Sequence, residues 1–124
     1  MIAVIVAFKE EIEDYLSVRD FILDGRTEDA RFYRSPDQRD VVVVQCGMGR
    51  RRSEEATRQV IQRFGPELVV SAGFAGGVVP GLVKGDLLVC QKLWAVEGPY
   101  AEWSADLAES FTQVDKTTYV FKLH

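Results

Sequence analysis

The sequence predicts an α/β domain built around a mainly parallel β-sheet. Two apolar, β-branched runs, at residues 1–7 and Val41–Gln45, are typical of strands that are covered on both faces. A segment with helical periodicity follows each of these runs. A third apolar run then leads into the glycine-rich turn "SAGFAGG" at 71–77. The order strand, helix, strand, helix, strand is the signature of a parallel sheet flanked by helices.

Length, composition and charge indicate a single soluble domain. The chain has 124 residues, of which 47% are hydrophobic and 27% charged, and its net charge is −4. This charge argues against a nucleic-acid binder, which needs a basic surface to neutralise phosphates. The apolar N-terminus lacks a basic flank and is too short to span a membrane, so no membrane partner is expected.

The few cysteines and the single histidine narrow the chemistry further. Cys46 and Cys90 are too few for a secreted disulfide scaffold, so we expect reduced thiols and a cytoplasmic location. The only histidine is His124, at the end of the sequence. A histidine-based catalytic triad or metal site is therefore nearly excluded, and no metal is expected.

The first part of the chain is predicted to form one strand, one helix and a pair of short strands. After the strand at residues 1–7, the segment Lys9–Val18 has the periodicity of a helix. The apolar face of this helix contains Ile12, Tyr15 and Leu16. Two short strands joined by a turn are expected next, at Phe21–Leu23 and Ala30–Arg34.

The second part is predicted to alternate strands and a helix. After the strand Val41–Gln45, a helix is expected from about 53 to 64, with Ser53 as its N-cap. Its buried face is predicted to contain Ala56, Val60, Ile61 and Phe64. Two further strands are expected at Glu67–Ser71 and Leu87–Gln91, and weaker patterns suggest a helix at Ala105–Phe111 and a strand at Thr117–Lys122.

Acidic residues follow the first strand, in the segment "AFKEE" at 7–11. Ligands of open α/β sheets bind at the carboxyl ends of the strands. A carboxylate at this position can face the crevice and act as an acid, a base or a holder of water. The alternative is that Glu10, Glu11 and Glu13 form a solvated helix face.

The second strand ends in "CGMGRRRSEE" at 46–55. Glycines let a ligand approach the backbone closely, and the free N–H groups of a helix start favour anions. Arg50, Arg51 and Arg52 add positive charge there, although Arg52 stands where a dinucleotide fingerprint needs its third glycine. The alternative is a tight turn followed by three solvated arginines.

The third segment, "SAGFAGG", contains more small residues than a simple turn needs. This composition indicates close passage of a ligand or of another backbone segment. Phe74 offers a flat apolar surface that can pack on a base or a sugar. The alternative is a β-bulge with a buried phenylalanine.

The order of these three segments resembles the nucleoside phosphorylase and nucleosidase family, and most closely its methylthioadenosine/S-adenosylhomocysteine nucleosidase branch. The matching segments are "IAVIVAFKEEIE" at 2–13, "VVVVQCGMGRRRSEEA" at 41–56 and "PELVVSAGFAGGVVPGLVKGDLLV" at 66–89. The third is the most specific, because it combines the glycine-rich turn, a short loop, Gly-Asp and an apolar strand. The resemblance covers about residues 1–92.

This resemblance implies a three-layer α/β fold around a mixed, twisted β-sheet, truncated after about the N-terminal half of the family's domain. Residues 1–124 would form a single shortened domain, of which 93–124 is a divergent tail. The implied reaction is cleavage of the N-glycosidic bond of a purine nucleoside by water or by phosphate. No cofactor is implied, and phosphate is the co-substrate if the reaction is phosphorolysis.

The resemblance also implies roles for individual residues. Glu11 matches the catalytic acidic residue that places the attacking water in nucleosidases. The implied ligand-binding positions are the crevice residues Ala7 and Phe8, the ribose and phosphate segment Met48, Gly49 and Arg50, and the turn residues Phe74, Ala75 and Gly76.

The sequence after Lys92 departs from the family, because it reproduces neither the ribose-binding motif nor the acid that protonates the leaving purine. Three hypotheses follow: a homologue active when a partner chain supplies that acid, an inactive homologue with a nucleoside- or phosphate-binding or assembly role, and an unrelated α/β nucleotide-binding module. Because a shortened sheet exposes strand edges, we expect a homodimer or higher homo-oligomer.

Overall fold

A computed structural model describes residues 1–77, 80–90 and 118–121 of the chain. The chain divides into two compact units, Met1–Ala75 and Gly76–His124. The elements of the first unit, in chain order, are β1 (Ile2–Val6), a 3₁₀ helix (Lys9–Glu11), α1 (Glu13–Val18), β2 (Ile22–Arg26), β3 (Arg31–Arg34), β4 (Val41–Gln45), α2 (Arg50–Phe64) and β5 (Leu68–Ser71).

The five strands of the first unit form one mixed sheet in the order β2-β3-β4-β1-β5. Strand β1 runs parallel to β4 and β5, so that Val4 lies opposite both Val43 and Val70. Strand β3 is antiparallel to β2 and to β4. The mixed sheet is thus confirmed, whereas the mainly parallel sheet was wrong for the β2–β3 side, because a short turn can join only antiparallel strands.

Two apolar clusters lie on opposite faces of this sheet. Alternate residues of β1 and β4 point to opposite faces, so Ile5 and Val44 pack in one cluster and Val6 and Val43 in the other. Helix α2 covers the first cluster through Ala56 and Val60. Helix α1 covers the second through Leu16, with Ile12 and Tyr15 packed around it. Helices on both faces of one sheet give the predicted three layers.

The helix predicted at Lys9–Val18 is divided in two. A 3₁₀ turn covers Lys9–Glu11, and the α-helix starts only at Glu13 because Ile12 departs from helical geometry, with φ −141° and ψ 8°. The break therefore falls at Ile12, directly after Glu11, whose carboxylate accepts hydrogen bonds from the N–H groups of Ala7 and Phe8 before the 3₁₀ turn.

Helix α2 begins three residues earlier than the sequence predicts. Its N-cap is Gly49 rather than Ser53. The N–H of Ser53 instead donates a hydrogen bond to the Gly49 carbonyl within the first turn of the helix. Its buried residues are Ala56 and Val60, with Phe64 partly buried. Ile61 is 51% exposed, so its assignment to the buried face was wrong.

The second unit contains an antiparallel strand pair, β6 (Leu87–Cys90) and β7 (Thr118–Phe121). Both strands fall within the segments predicted from the sequence. The helix predicted at Ala105–Phe111 lies outside the described residues. In the part of the chain that the structure describes, no helix has the length and apolar character that crossing a membrane requires.

Candidate functional site

The carboxyl ends of β1, β4 and β5 meet at one edge of the sheet and are joined by backbone hydrogen bonds. The N–H groups of Cys46 and Gly47 donate to the carbonyls of Val6 and Ala7 at 3.0 and 2.9 Å, respectively. On the other side of β1, the N–H of Ala72 donates to the Ile5 carbonyl at 2.9 Å. The three segments singled out in the sequence therefore leave the sheet side by side, as parallel strands require.

The carboxylate of Glu11 bridges two of these strand ends. Its Oε2 atom accepts hydrogen bonds from the N–H groups of Ala7 at 2.9 Å and Phe8 at 3.0 Å. Its Oε1 atom accepts a longer one, at 3.4 Å, from the N–H of Phe74. A carboxylate only accepts hydrogen bonds, so three converging N–H donors are suitable partners for it.

The neighbouring carboxylates do not share this arrangement. Glu10 and Glu13 are exposed, whereas Glu11 is half-buried. The solvated helix face considered above thus describes Glu10 and Glu13 but not Glu11. A group held in this way can orient a water molecule or a ribose hydroxyl, or accept a proton from it.

Gly73 makes room for this carboxylate. A Cβ atom added to Gly73 would lie 2.9 Å from Oε1 of Glu11 and 3.4 Å from its carboxyl carbon. The position tolerates no side chain unless Glu11 moves. Sequence reasoning identified the glycine-rich turn but not this residue, because the reason for the glycine is a side chain 62 positions away in the chain.

Three large apolar side chains at the same strand ends are exposed. They are Phe8 after β1, Met48 after β4 and Phe74 after β5, with exposed fractions of 43%, 73% and 78%. The exposure of Phe74 removes the alternative of a buried phenylalanine. Exposed aromatic and thioether groups around a fixed carboxylate form the kind of apolar surface that binds a base or a sugar.

The remaining predicted ligand-binding residues of the first unit follow the ends of β1, β4 and β5. Gly49 has φ 111°, a conformation that favours glycine, and Arg50 is the exposed first residue of α2. Ala7 is half-buried at the end of β1. Ala75 ends the first unit and Gly76 begins the second, and both are exposed.

Cys46 is a buried, free thiol beside the site. Burial raises the pKa of this thiol above its ordinary value of 9.0, and the nearby negative charge of Glu11 adds to the rise. The backbone hydrogen bond and the positive charge of Arg52 act in the opposite direction. The thiol is therefore protonated at neutral pH and is a poor nucleophile, consistent with the packing role predicted for it.

Comparison with protein families places these features in a known group. The model of the phosphorylase superfamily matches residues 1–117, which is nearly the whole chain. The chain belongs to the phosphorylase superfamily.

Several curated nucleosidases are similar in sequence to this superfamily member. The 5'-methylthioadenosine/S-adenosylhomocysteine nucleosidase of Listeria monocytogenes serovar 1/2a is 31% identical over 97 residues, which cover 74% of this chain and 40% of that protein. The enzyme of the same name from Anoxybacillus flavithermus is 33% identical over 93 residues, covering 71% of this chain and 38% of that protein. The chain thus spans about two fifths of the length of these relatives.

A solved structure shows the same relationship. It is the crystal structure of 5'-methylthioadenosine/S-adenosylhomocysteine nucleosidase from Neisseria meningitidis in complex with methylthio-immucillin-A. The TM-score is 0.58 at 28% sequence identity, over 72% of this chain and 38% of that one. The α/β fold and the family predicted from the three segments are confirmed.

Within the described residues of this superfamily member, Glu11 is the carboxylate that the strand ends hold in place. No group of three or more His, Cys, Asp or Glu side chains in that part of the chain could hold a metal ion. The described geometry therefore provides one fixed carboxylate and an apolar surface, which together can place a nucleophile beside a sugar.

Proposed function

We propose that this chain cleaves the N-glycosidic bond of a purine nucleoside when a partner chain completes its site. The observation that carries the proposal is the carboxylate of Glu11, fixed by the N–H groups of Ala7, Phe8 and Phe74 at the carboxyl ends of β1 and β5. Membership of the phosphorylase superfamily and the names of the similar nucleosidases support the substrate class.

In this proposal, Glu11 orients the attacking water toward the anomeric carbon of the ribose. As the bond to the purine breaks, positive charge develops on the sugar, and a nearby carboxylate stabilises that charge. Phe8, Met48 and Phe74 form the apolar surface against which the nucleoside packs. Gly49, Ala75 and Gly76 let the ligand approach the backbone closely, and Arg50 adds positive charge at the start of α2.

Water fits this site better than phosphate as the nucleophile. A phosphate dianion placed against Glu11 would be repelled by the carboxylate, whereas a water molecule donates a hydrogen bond to it. We therefore favour hydrolysis over phosphorolysis, and phosphate is not required as a co-substrate.

The leaving purine must be protonated as it departs, and the described residues offer no second fixed carboxylate at this edge of the sheet. We propose that a second copy of the chain or another subunit supplies this acid. Exposed apolar residues on β5 support association: Leu68 is 53% and Val70 37% exposed, and within the described five-stranded sheet β5 pairs only with β1.

The direct test is release of free purine from methylthioadenosine, inosine and adenosine, measured chromatographically with and without phosphate over a range of protein concentrations. We expect release from at least one nucleoside, independent of phosphate and rising more than proportionally with protein concentration. Binding of these nucleosides without base release at any concentration would favour an inactive homologue with a nucleoside-binding role. The absence of both would refute the proposed function.

A further inference from the structure

The β2–β3 hairpin, residues 22–34, is attached to α2 by side chains from two successive turns of the helix. Gln59 and Arg63 are four residues apart, so both lie on the same helix face. The hydroxyl of Thr27, in the turn of the hairpin, donates a hydrogen bond of 2.7 Å to Oε1 of Gln59. The Nε2 atom of Gln59 donates in turn to Oδ2 of Asp29 at 3.4 Å. Gln59 therefore contacts two residues of the turn that joins the strands.

Arg63 makes the second attachment and contacts both strands of the hairpin. Its Nη2 atom donates a hydrogen bond of 3.3 Å to the carbonyl of Asp24 in β2. Its guanidinium carbon lies 4.9 Å from the centre of the Phe32 ring in β3 and 5.2 Å from that of Phe64 in α2. Cations are attracted to aromatic rings at such distances. Arg63, although an exposed residue, thus joins β2, β3 and the end of α2.

Gly25 leaves room for this guanidinium. A Cβ atom added to Gly25 would lie 2.9 Å from Nη1 and 3.0 Å from Nη2 of Arg63. Gly25 also has φ 126°, and it lies where the register of β2 and β3 is irregular, between Leu23 and Arg26. The irregular register and the glycine together let the backbone of β2 approach the Arg63 side chain closely.

The end of the hairpin carries a repulsion that these attachments offset. Arg26 and Arg31 are direct partners in the register of β2 and β3, and both are exposed. Like charges placed directly opposite each other destabilise a pair of strands. The contacts with Gln59 and Arg63 hold the turn against α2 in spite of this repulsion.

The turn that is held in this way lines a groove that adjoins the proposed nucleoside site. The groove has a volume of about 440 Å³, and its lining includes residues 26–31 of the hairpin and residues 45–47 at the end of β4. Met48 and Gly49, which are predicted to contact the ribose, follow directly in the chain. The position of the hairpin therefore determines how open the site is beside Met48.

We propose that Arg63 is a positioning residue, which holds the hairpin against α2 in the arrangement that binds the nucleoside. This inference rests on the proposed function. Glu11 is held by N–H groups at the ends of β1 and β5, and the hairpin takes no part in those contacts. Loosening the hairpin should therefore weaken binding of the nucleoside without displacing the group that acts on its glycosidic bond.

The test compares Arg63→Ala with Arg58→Ala, a matched control on the same helix. Arg58 is also exposed, but its ion pairs are with Glu54 and Glu55 of α2 itself. Hydrogen exchange of the hairpin amides, followed by mass spectrometry, measures the attachment whether or not the protein is active. Purine release from methylthioadenosine gives KM and kcat, and calorimetric titration with the same nucleoside gives Kd. Arg63→Lys, which keeps the charge but loses the planar guanidinium, is the conservative variant.

We expect residues 22–34 to exchange faster in Arg63→Ala than in the wild type or in Arg58→Ala. Both KM and Kd of Arg63→Ala should rise by roughly three- to tenfold, because affinity falls with the fraction of molecules whose hairpin is in place. Its kcat should change by less than about twofold. Arg63→Lys should lie between Arg63→Ala and the wild type in exchange and in KM.

Unchanged exchange of the hairpin in Arg63→Ala would refute the attachment, and unchanged KM and Kd would refute its role in binding. A fall in kcat alone, or equal effects of Arg58→Ala, would also overturn the proposal. Circular dichroism verifies that each variant is folded, and Arg63→Lys carries the same comparison if Arg63→Ala does not fold. Failure of the proposed function is recognised separately, because the wild type itself would then neither bind nor cleave a nucleoside.

Discussion

Glu11 is one of three acidic residues within four positions, and its surroundings alone set it apart. Its two oxygen atoms accept hydrogen bonds from N–H groups at the ends of two different strands, which fixes the side chain in position. A group fixed in this way can act on a substrate without the entropic cost of being ordered at the moment of reaction.

The contact between Gly73 and Glu11 leads to a prediction at the residue level. In Gly73→Ala the new methyl group displaces the Glu11 carboxylate, since the clashing atom is the far end of a flexible side chain. Folding should therefore be nearly unchanged, whereas purine release should fall by roughly ten- to hundredfold. Thermal unfolding and initial rates measure the two effects.

The matched test of this contact is a double-mutant cycle with Glu11→Asp. The shorter aspartate no longer reaches the new methyl group, so Gly73→Ala should cost less activity in the Glu11→Asp background than in the wild type. Equal losses in both backgrounds would show that the two residues are not coupled.

At the level of elements, the strands follow the sequence pattern closely and the helix starts do not. Both ends of strand β4 were predicted correctly. A continuous run of β-branched residues is typical of a strand that is buried on both faces of the sheet. Helix α2 was predicted to begin at about residue 53 because Ser53 is a favourable N-cap residue. The structure starts the helix at Arg50, after Gly49 with its φ of 111°. The three arginines of the first turn oppose the helix dipole and remain exposed.

Helix α2 supplies a stability prediction with a built-in control. Val60 is fully buried against β1 and β4, whereas its neighbour Ile61 is half exposed. Val60→Ala should lower the free energy of unfolding by roughly 1–3 kcal/mol. Ile61→Ala, although it removes a larger side chain, should lower it by less than half that amount. Urea denaturation measures both, and equal losses would contradict the packing of α2.

At the level of the whole molecule, the sequence alone was sufficient to identify the family but not to predict the contacts that form the site. Three short segments identified the superfamily, because each combines a buried strand with a distinctive sequence in the turn that follows it. The donors to Glu11 could not be predicted, since they are backbone N–H groups that any sequence carries. The chain spans about two fifths of the length of the nucleosidases to which it is similar.

Association through β5 is the prediction for the whole molecule. We expect a dimer or higher oligomer in analytical ultracentrifugation, and Val70→Lys should shift it toward the monomer by placing a charge at the strand edge. Val18→Lys is the control, since Val18 is a comparably apolar residue, 75% exposed, at the end of α1. A wild-type monomer at all concentrations, or equal effects of the two variants, would rule out this mode of association.

The central claim is that Glu11 acts on the nucleoside, and the most direct measurement compares Glu11→Gln with Glu10→Gln in the purine-release assay. The two substitutions remove the same charge one residue apart, but only Glu11 is held by the strand-end N–H groups. We predict that Glu11→Gln lowers the rate by about 10²–10⁴-fold, as expected for loss of a group that handles the nucleophile, and that Glu10→Gln leaves it nearly unchanged. A Glu11→Gln protein as active as the wild type would contradict the account.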